Sequence, residues 1–404
     1  MRVYVVNLRN EALIPTTPRK ARLLLKSGMA RVIKRTPFTI QLLYASGETK
    51  QPITLGVDSG FQNIGLSAIT DKQEIFSADV KLRSDIVKLN SERRQYRRAR
   101  RNRKIRHRKP RFSNRRKVEG WLAPSIQHKL DSHIKIINMV KRVLPITKVI
   151  IEVANFDIQK MKNPEISGVD YQNGDQSGFW NVREYVLYRD GHTCQNCKGK
   201  SGDKVLEVHH IESRQTGGNR PANLVTLCQT CHEKISQGKL DLKIKVSSGF
   251  KAESFMSMVR WRLVNILNAS YTYGYLTKHK RVKSGLDKSH ANDAFIIAGG
   301  SAQKRCLGYI IQQVRKCNRK LYKGIRSHIK NTAPRFVKGF QRFDKVLYQG
   351  KECFIFGRRL RGYFDIRSID NIEINSSVNY KKLCLLETFK TFLIERRKPV
   401  SSPA

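Results

Sequence analysis

From Arg93 to Phe112 the chain reads RRQYRRARRNRKIRHRKPRF, more than half of it arginine or lysine. An ordinary surface helix keeps one apolar stripe for a core. Here Tyr96, Ala99 and Ile105 are the only non-polar residues before Pro110, and they make no continuous stripe. Cations lie on every face of any helix this segment forms. It is therefore either a disordered basic insertion or an element that crosses a polyanion surrounding it. Position favours the second. The run lies inside a chain of foldable segments, between a three-stranded meander and a helix-plus-strand suited to complete the same sheet. The reading adopted is a helix between modules, ordered by nucleic acid, whose arginines make bidentate contacts to phosphate.

The rest of the chain agrees with a polyanionic partner. Its 404 residues carry 79 basic and 32 acidic side chains, a net charge of +47. Self-repulsion on that scale opposes a compact bare state. Nucleic acid is the first candidate partner and an anionic membrane surface the second. Hydrophobic residues make up 39%, too many for a fully disordered chain. No run of 18 apolar residues is present, so no membrane-spanning helix is expected. The segment MRVYVVNLRN lacks the apolar region and cleavage site of a signal peptide, so a cytoplasmic, reducing compartment is expected. There, paired cysteines indicate metal before disulfide.

Along the chain, RVYVVN and FTIQLLY predict strands around a helix, RKARLLLKSGMARV, ended near Gly28. ITLGVDSG, NIGLSAIT and EIFSADVKL predict three strands with short polar turns. SIQHKLDSHIKIINMVKRVL predicts an amphipathic helix and KVIIEVANF a buried strand. A Gly-, Asn- and Asp-rich stretch, NPEISGVDYQNGDQSG, reads as a linker before a compact module near 178–240. FMSMVRWRLVNILNA and HANDAFIIAGG predict two further helices, and the last hundred residues read as a separate, basic, strand-rich region.

Two constellations carry chemistry. Asp58 ends an apolar strand and Glu152 interrupts a buried one, where a carboxylate serves no packing purpose. His290 and Asp293 stand three apart on one helical face. If strands and helix converge, the carboxylates repel one another, and divalent cations resolve the repulsion. Two Mg²⁺ ions (or Mn²⁺) roughly 4 Å apart would activate water and stabilise the leaving oxygen of a phosphodiester. Taken alone, Asp58 would sooner be a salt bridge or a cap.

The second constellation is CQNC and CQTC. Cys194, Cys197, Cys228 and Cys231 form two C-x₂-C pairs about thirty residues apart, a tetrahedral Zn²⁺ pattern. Between and beside them stand His209, His210, Asn223 and His232, which a purely structural zinc site does not need. Cys306, Cys317, Cys353 and Cys384 have no ligand spacing and read as ordinary thiols.

EVHHIESRQTGGNRPANLVTLCQTCHEKI resembles an HNH nuclease with its ββα-metal hairpin. That resemblance implies His210 as general base, His209 and His232 as ligands of a catalytic divalent metal, and Asn223 as the residue orienting the hairpin. GVDSG, IIEVANF and HANDA resemble the three split motifs of a RuvC-type, RNase H-like nuclease, which carry over onto Asp58, Glu152, His290 and Asp293. A RuvC-like domain split by an arginine-rich helix and then an HNH module is the order of parts in CRISPR type II effectors. This chain is too short for their recognition lobe and resembles instead IscB, the compact transposon-associated family. ALIP at Ala12 to Pro15 stands where that family has Pro-Leu-Met-Pro.

The resemblance implies an α/β fold with these parts: an N-terminal basic module at 1–52, RuvC-like segments at 53–90, 118–165 and 250–304, a bridge helix at 91–117, an HNH nuclease with a four-cysteine zinc knuckle at 175–242, and a C-terminal domain at 305–404 for RNA and a target-adjacent motif. Arg93, Arg94, Arg97, Arg98, Arg100, Arg101, Arg103, Arg106 and Arg108 would meet RNA phosphate. The implied partners are an omega-type guide RNA and double-stranded DNA bearing a short flanking motif. The implied assembly is a monomer in a ribonucleoprotein, with no membrane contact. A protein-only structure-selective or homing-type endonuclease and a non-catalytic RNA-binding protein are the competing readings.

Overall fold

The computed structural model describes residues 2–47, 51–102, 120–122, 124–153, 181–213, 221–242, 244, 251–315 and 334–397. It comprises two compact units, one of Met1–Asn155 with Phe255–Ala404, the other Phe156–Ser254. The arginine run beyond Asn102, with Arg103, Arg106 and Arg108, and the linker at 163–178 lie outside the described residues.

The chain opens with strands β1 (Val3–Val6) and β2 (Ala12–Thr16), helix α1 (Pro18–Lys26), and strands β3 (Ala30–Lys34) and β4 (Thr39–Leu42). The strands make one sheet in the order β2-β1-β4-β3. Thr17 caps α1 by accepting from the Lys20 N–H, and Pro18 fills the first turn where no N–H is needed. Gly28, at φ +69°, carries the chain out of the helix in the left-handed region. The ALIP segment lies on β2, a strand the sequence reading left undrawn.

Next come β5 (Thr54–Ser59), β6 (Asn63–Ile69), β7 (Glu74–Lys81), α2 (Ile86–Asn102), α3 (Pro124–Lys141) and β8 (Lys148–Val153). The arginine run is thus helical as far as it is described, and its helix starts at Ile86, ahead of the expected 91. Arg93, Arg94, Arg97 and Arg98 are exposed on it. The second unit holds α4 (Val182–Arg189), β9 (Leu206–His210), β10 (Leu224–Cys228) and α5 (Gln229–Ser236). The first unit then resumes with α6 (Lys251–Leu267), β11 (Ser270–Tyr273), α7 (Gly274–Lys283), α8 (His290–Ile297) and β12 (Tyr309–Gln313).

The final segment supplies β13 (Lys345–Tyr348), β14 (Lys351–Arg358), β15 (Tyr363–Arg367), β16 (Glu373–Asn379), β17 (Cys384–Glu387) and β18 (Phe392–Arg396). Strands β13 to β17 form a five-stranded sheet with its own core of Val346, Ile355, Phe364 and Ile366. Contrary to the expected separation of the last hundred residues, this sheet belongs to the same compact unit as the first 155 residues, and the segments flanking it join the central sheet. β12 pairs with β7 and β18 with β12, so both extend the central sheet past the expected boundary at 304. Their apolar residues Tyr309, Ile311, Leu393 and Ile394 are buried there.

The central sheet runs β11-β8-β5-β6-β7-β12-β18. β5, β6 and β7 form an antiparallel meander, while β8 and β11 continue parallel on the other side of β5. Alternation divides the faces. Leu55, Val57, Ile64, Leu66 and Ile151 share a core with Leu130, Ile136, Ile137 and Val140 of α3. Gly56, Asp58, Gly65 and Glu152 occupy the alternate positions.

Helix α8 takes that other face. A Cβ on Gly56 would fall well inside 3.0 Å of the Ala294 carbonyl oxygen, and one on Gly65 well inside 3.0 Å of the His290 carbonyl oxygen. Only glycine lets the helix backbone approach so closely. Ser289 caps α8, and Asp79 of β7 accepts from the Ala291 N–H at 3.0 Å. A Gly65→Ala substitution should therefore cost about 1–3 kcal/mol or more of stability through forced separation of α8 from the sheet. Gly47→Ala, with nothing within 4 Å of its Cβ, should be near neutral. Chemical denaturation of both variants checks this.

Candidate active site and metal centre

In the first unit the sequence-predicted acids meet at one end of the parallel strands. Val57 pairs with Ile151, which sets Asp58 and Glu152 on neighbouring strands facing α8. The register of β5 against β6 places Asp58 opposite Gly65, directly below the first turn of α8. His290 Nδ1 lies 2.6 Å from Asp58 Oδ2. Asp293, one turn on, ion-pairs with Arg281 Nε of α7 at 2.7 Å. The Ser59 hydroxyl donates to the Glu152 carbonyl oxygen at 2.8 Å and ties the two strand ends together. On the opposite face, Lys129 donates to the Phe61 carbonyl and His133 Nε2 contacts that of Gly60, so α3 fixes the turn that follows Asp58.

Electrostatics mark these groups as coupled. Burial pushes the Glu152 carboxyl up to about 7; Asp58 and Asp293 add to the rise, and the Thr277 hydroxyl opposes it. Burial and Asp58 also raise Asp293, against Arg281. The hydrogen bond that His290 makes to the Asp58 carboxylate raises the histidine's pKa. Two acids thus have cationic neighbours, and Glu152 sits in the least favourable place for a charge. The three carboxylates are not drawn into one tight cluster. Among the described residues, the one group of His, Cys, Asp or Glu ligand atoms all within 4.8 Å of one another is that of Cys194, Cys197, Cys228 and Cys231.

Sequence reasoning missed Arg281, Thr277 and Gly274 around this site. A Cβ on Gly274 would stand 3.0 Å from Glu152 Oε1. Their shared signal, a break between β11 and α7 at YGYLT, is too short to separate from an ordinary turn.

The second unit is built on a hairpin. β9 and β10 pair antiparallel, with His210 opposite Leu224 and His209 opposite Val225. Period two puts Glu207 and His209 on one face and His210 on the other. His232 of α5 joins the first pair: its ring centroid is 5.0 Å from that of His209, and its Nδ1 is 2.5 Å from Glu207 Oε2. Burial and the adjacent histidines lower the pKa of His209, which favours the neutral ring that a metal ligand requires. Asn223 is fully buried in a single turn before β10. Its side chain accepts from Glu212 N–H at 2.8 Å and donates to the Glu212 carbonyl at 3.0 Å. Both backbone groups of the chain just past His210 are thereby held. Glu207 went unread in the sequence, although its spacing from His209 in EVHH places both on one strand face.

Arg189 and Asp190 close the module. Arg189 donates to the Pro221 and Leu224 carbonyls, and Asp190 accepts from Thr226 N–H. The four cysteines lie at the base. The Sγ atoms of Cys197 and Cys228 are 3.7 Å apart, too far for a disulfide. A tetrahedral Zn²⁺ with Zn–S bonds of about 2.3 Å would space its sulfurs by about 3.8 Å. The set fits zinc. Burial pushes the Cys228 and Cys231 thiols up, so their thiolates need a cation beside them. Ser201 and Asn196 donate to Cys228 Sγ and Cys231 Sγ at 3.1 and 3.3 Å and would support such ligands.

Two family models match the chain: "RRXRR protein" over residues 3–174 and "HNH endonuclease" over residues 194–238. The first description can be read at Arg97-Arg98-Ala99-Arg100-Arg101. The chain thus carries an HNH endonuclease domain, enclosing both cysteine pairs and all four hairpin residues, behind an RRXRR region. No curated protein matches the sequence. Solved structures similar to it include Streptococcus thermophilus Cas9 in complex with AGGA PAM (18% identity, 44% of this chain, TM-score 0.28), with the AGAA PAM (17%, 44%, 0.26) and with the GGAA PAM (18%, 43%, 0.24). The chain spans about a quarter of their length, 26% in each case. Among the described residues no helix is long and apolar enough to cross a membrane.

Two outcomes follow from this geometry. Cys194→Ser or Cys231→Ser should release one tightly bound zinc and unfold the second unit, because structural zinc contributes on the order of 10 kcal/mol to such modules. Elemental analysis and proteolysis check it. The Glu152 outcome concerns pH. Its folded-state pKa is raised from 4.5 to about 7, so its contribution to stability is full below pH 4.5 and is lost as pH rises through about 7. In EDTA at pH 8, Glu152→Gln should be more stable than the parent by about 2–3 kcal/mol. The gap should close at pH 4.5, as read by denaturant melts.

Proposed function

We propose that this chain is an RNA-guided DNA endonuclease of the IscB type, with an RNase H-like RuvC site in the first unit and the HNH site in the second. The observation that carries the two-site reading is the placement of Asp58 and Glu152 at the ends of adjacent strands, with His290 and Asp293 on the helix docked over them. No packing role explains three acids there. In this reading Asp58, Glu152 and Asp293 hold divalent metal, and His290 orients Asp58. Bound Mg²⁺ would supply an activated water and charge stabilisation for the leaving oxygen. Glu152, raised toward neutrality, would have to be deprotonated to serve as a metal ligand.

In the second site, His210 takes the proton of the attacking water. His209 and His232 hold the divalent metal. Glu207 engages Nδ1 of His232, which leaves Nε2 to ligate. Asn223 fixes the backbone after His210, so the base keeps its aim. The guide RNA is supported by the net charge of +47 and by the exposed arginines of α2, which offer phosphate contacts. That helix is the proposed bridge, and the C-terminal sheet the proposed reader of RNA and a flanking motif. Sequence specificity would come from base pairing.

A division of labour tests the proposal. Asp58→Ala removes an acid from one site and His210→Ala the base from the other. On a duplex labelled separately in each strand, with guide RNA and Mg²⁺, each variant should nick one strand. His210→Ala should spare the guide-paired strand and Asp58→Ala the displaced strand. The double variant should bind without cutting. Loss of both cuts in one single variant would indicate a composite site, and cutting without RNA would favour a protein-only nuclease.

A further inference from the structure

Three parts of the first unit, far apart in sequence, enclose a cavity of about 360 Å³. Strands β1, β3 and β4 give one wall, α3 and the two residues after it a second, and strands β13, β14, β17 and β18 the third. None of the residues assigned to either nuclease site lines it. The floor is apolar: Val143, Phe343, Phe354 and Ile394 are buried there, and Phe389 and Phe392 stand half-buried at the side. Specific contacts hold the cavity in shape. Phe343 has φ +71°, a conformation that bulky side chains rarely adopt. Its N–H bonds the Ile355 carbonyl at 2.6 Å. The next residue, Asp344, is buried and accepts from the N–H groups of Gln341 at 2.8 Å and Phe389 at 2.7 Å. The Gln341 amide donates to the Phe389 carbonyl at 2.8 Å. Both backbone groups of Phe389 are thereby fixed, and its ring meets that of Phe343 at 5.3 Å and 61°. A strained residue kept in place by so many partners points to a use for its position.

The charges around it are unbalanced. Lys34, Lys135, Arg142, Lys345 and Lys390 line the cavity with one acid among the described residues, Glu387. Lys345 is satisfied at the base by Glu352 at 2.5 Å and by the Thr36 hydroxyl and the Ile394 carbonyl at 3.3 Å each. The other four cations share Glu387. Burial lowers the pKa of Lys34; Glu387 opposes the fall and Lys390 adds to it. An occupant therefore has to bring an anionic end and a flat apolar body. A bare anion would leave the floor empty, and an acyl chain has no flat face for the phenylalanine rings. A nucleotide has both parts: a base that stacks on aromatic rings and offers polar edges, and a phosphate for the cations. The cavity volume also lies in the range of small-ligand sites.

We propose that this cavity binds a single nucleotide, its base on the apolar floor, its phosphate among Lys34, Lys135, Arg142 and Lys390, and Glu387 accepting from an amino group on the edge of the base. The same chemistry is offered by a free nucleotide and by an unpaired residue of a bound RNA strand. The proposal depends on neither nuclease site. A carboxylate acceptor favours cytosine, whose edge presents an amino group, over uracil, which presents a carbonyl oxygen at that position.

The test uses full-length protein freed of nucleic acid by high salt, in EDTA. It is titrated calorimetrically with CMP, UMP, ribose 5-phosphate, a single-stranded RNA pentamer with one cytidine among uridines, and the all-uridine pentamer. The cytidine probe should bind about 5- to 150-fold more tightly than its uridine counterpart, and Glu387→Gln should remove most of that preference. Lys135→Glu combined with Arg142→Glu changes two exposed residues of the rim and should weaken binding by about 10-fold or more. Lys148→Glu, at an exposed lysine outside the cavity, should leave affinity unchanged. Binding of CMP assigns the site to a free nucleotide, and binding of the cytidine pentamer without CMP assigns it to a residue of a strand. Failure of both to bind overturns the proposal. So does ribose 5-phosphate binding as tightly as CMP, a preference for cytidine that survives Glu387→Gln, or a loss in Lys148→Glu equal to that of the rim variant, which would indicate attraction by net charge alone.

Discussion

Everything at the acid site depends on the contact between a helix backbone and two glycines. Gly56 and Gly65 lie on adjacent antiparallel strands, and α8 rests on them at carbonyl distance. A side chain at either position would lift the helix and carry His290 and Asp293 away from Asp58. The contact uses no hydrogen bond of its own. Its strength comes from around it: Asp79 holds the Ala291 N–H, Phe295 and Ile296 are buried beyond the glycines, and Arg305 bridges Glu74 of β7 to Asn292 of α8. Glu74 is completely buried, with Ser67 and the Cys306 N–H satisfying its remaining lone pairs. A buried, fully partnered acid of this kind specifies position more than it adds stability.

The same face contains two opposite treatments of carboxylates. Glu74 has every oxygen occupied and a guanidinium beside it. Glu152 has burial and the neighbouring carboxylates raising its pKa, with the Thr277 hydroxyl and His290 only partly opposing. A chain selected only for stability would not keep an acid in the second condition. The contrast separates the two acids by environment, where composition alone could not.

Much of this was legible in the sequence, and the failures have physical causes. Asp58, Glu152, His290 and Asp293 could be read because each breaks the pattern of its own element. The cysteines could be read because metal geometry fixes their spacing. The meander β5–β7 followed from clean alternation. β12 and β18 were missed as members of the central sheet because pairing partners 79 or more positions away leave no local trace. Arg281 and Glu207 were missed because a charged residue on a surface element looks the same whether it meets solvent or an active-site partner. Only their partners, Asp293 and His232, distinguish them.

The two units also show how size decides what must hold a fold. The first buries dozens of apolar side chains around its central sheet, and it can give one strand end over to repelling acids without losing its core. The second has a single small cluster, in which Cys194, Cys228 and Cys231 are themselves buried members beside Val225 and Leu227. So small a core is marginal on its own. Its sulfur ligands are therefore core and cross-link at once. They join the knuckle at Cys194 and Cys197 to the strand-to-helix junction at Cys228 and Cys231, and that junction begins the helix bearing His232. Loosening the cysteines should move His232 relative to His209, because Cys231 lies on α5 and Cys228 at its start, leaving Ile235 and the His232–Glu207 contact to hold that helix to the hairpin. Stability and the placement of His232 in this unit are one property, whereas in the first unit the core and the placement of the acids are set by different residues.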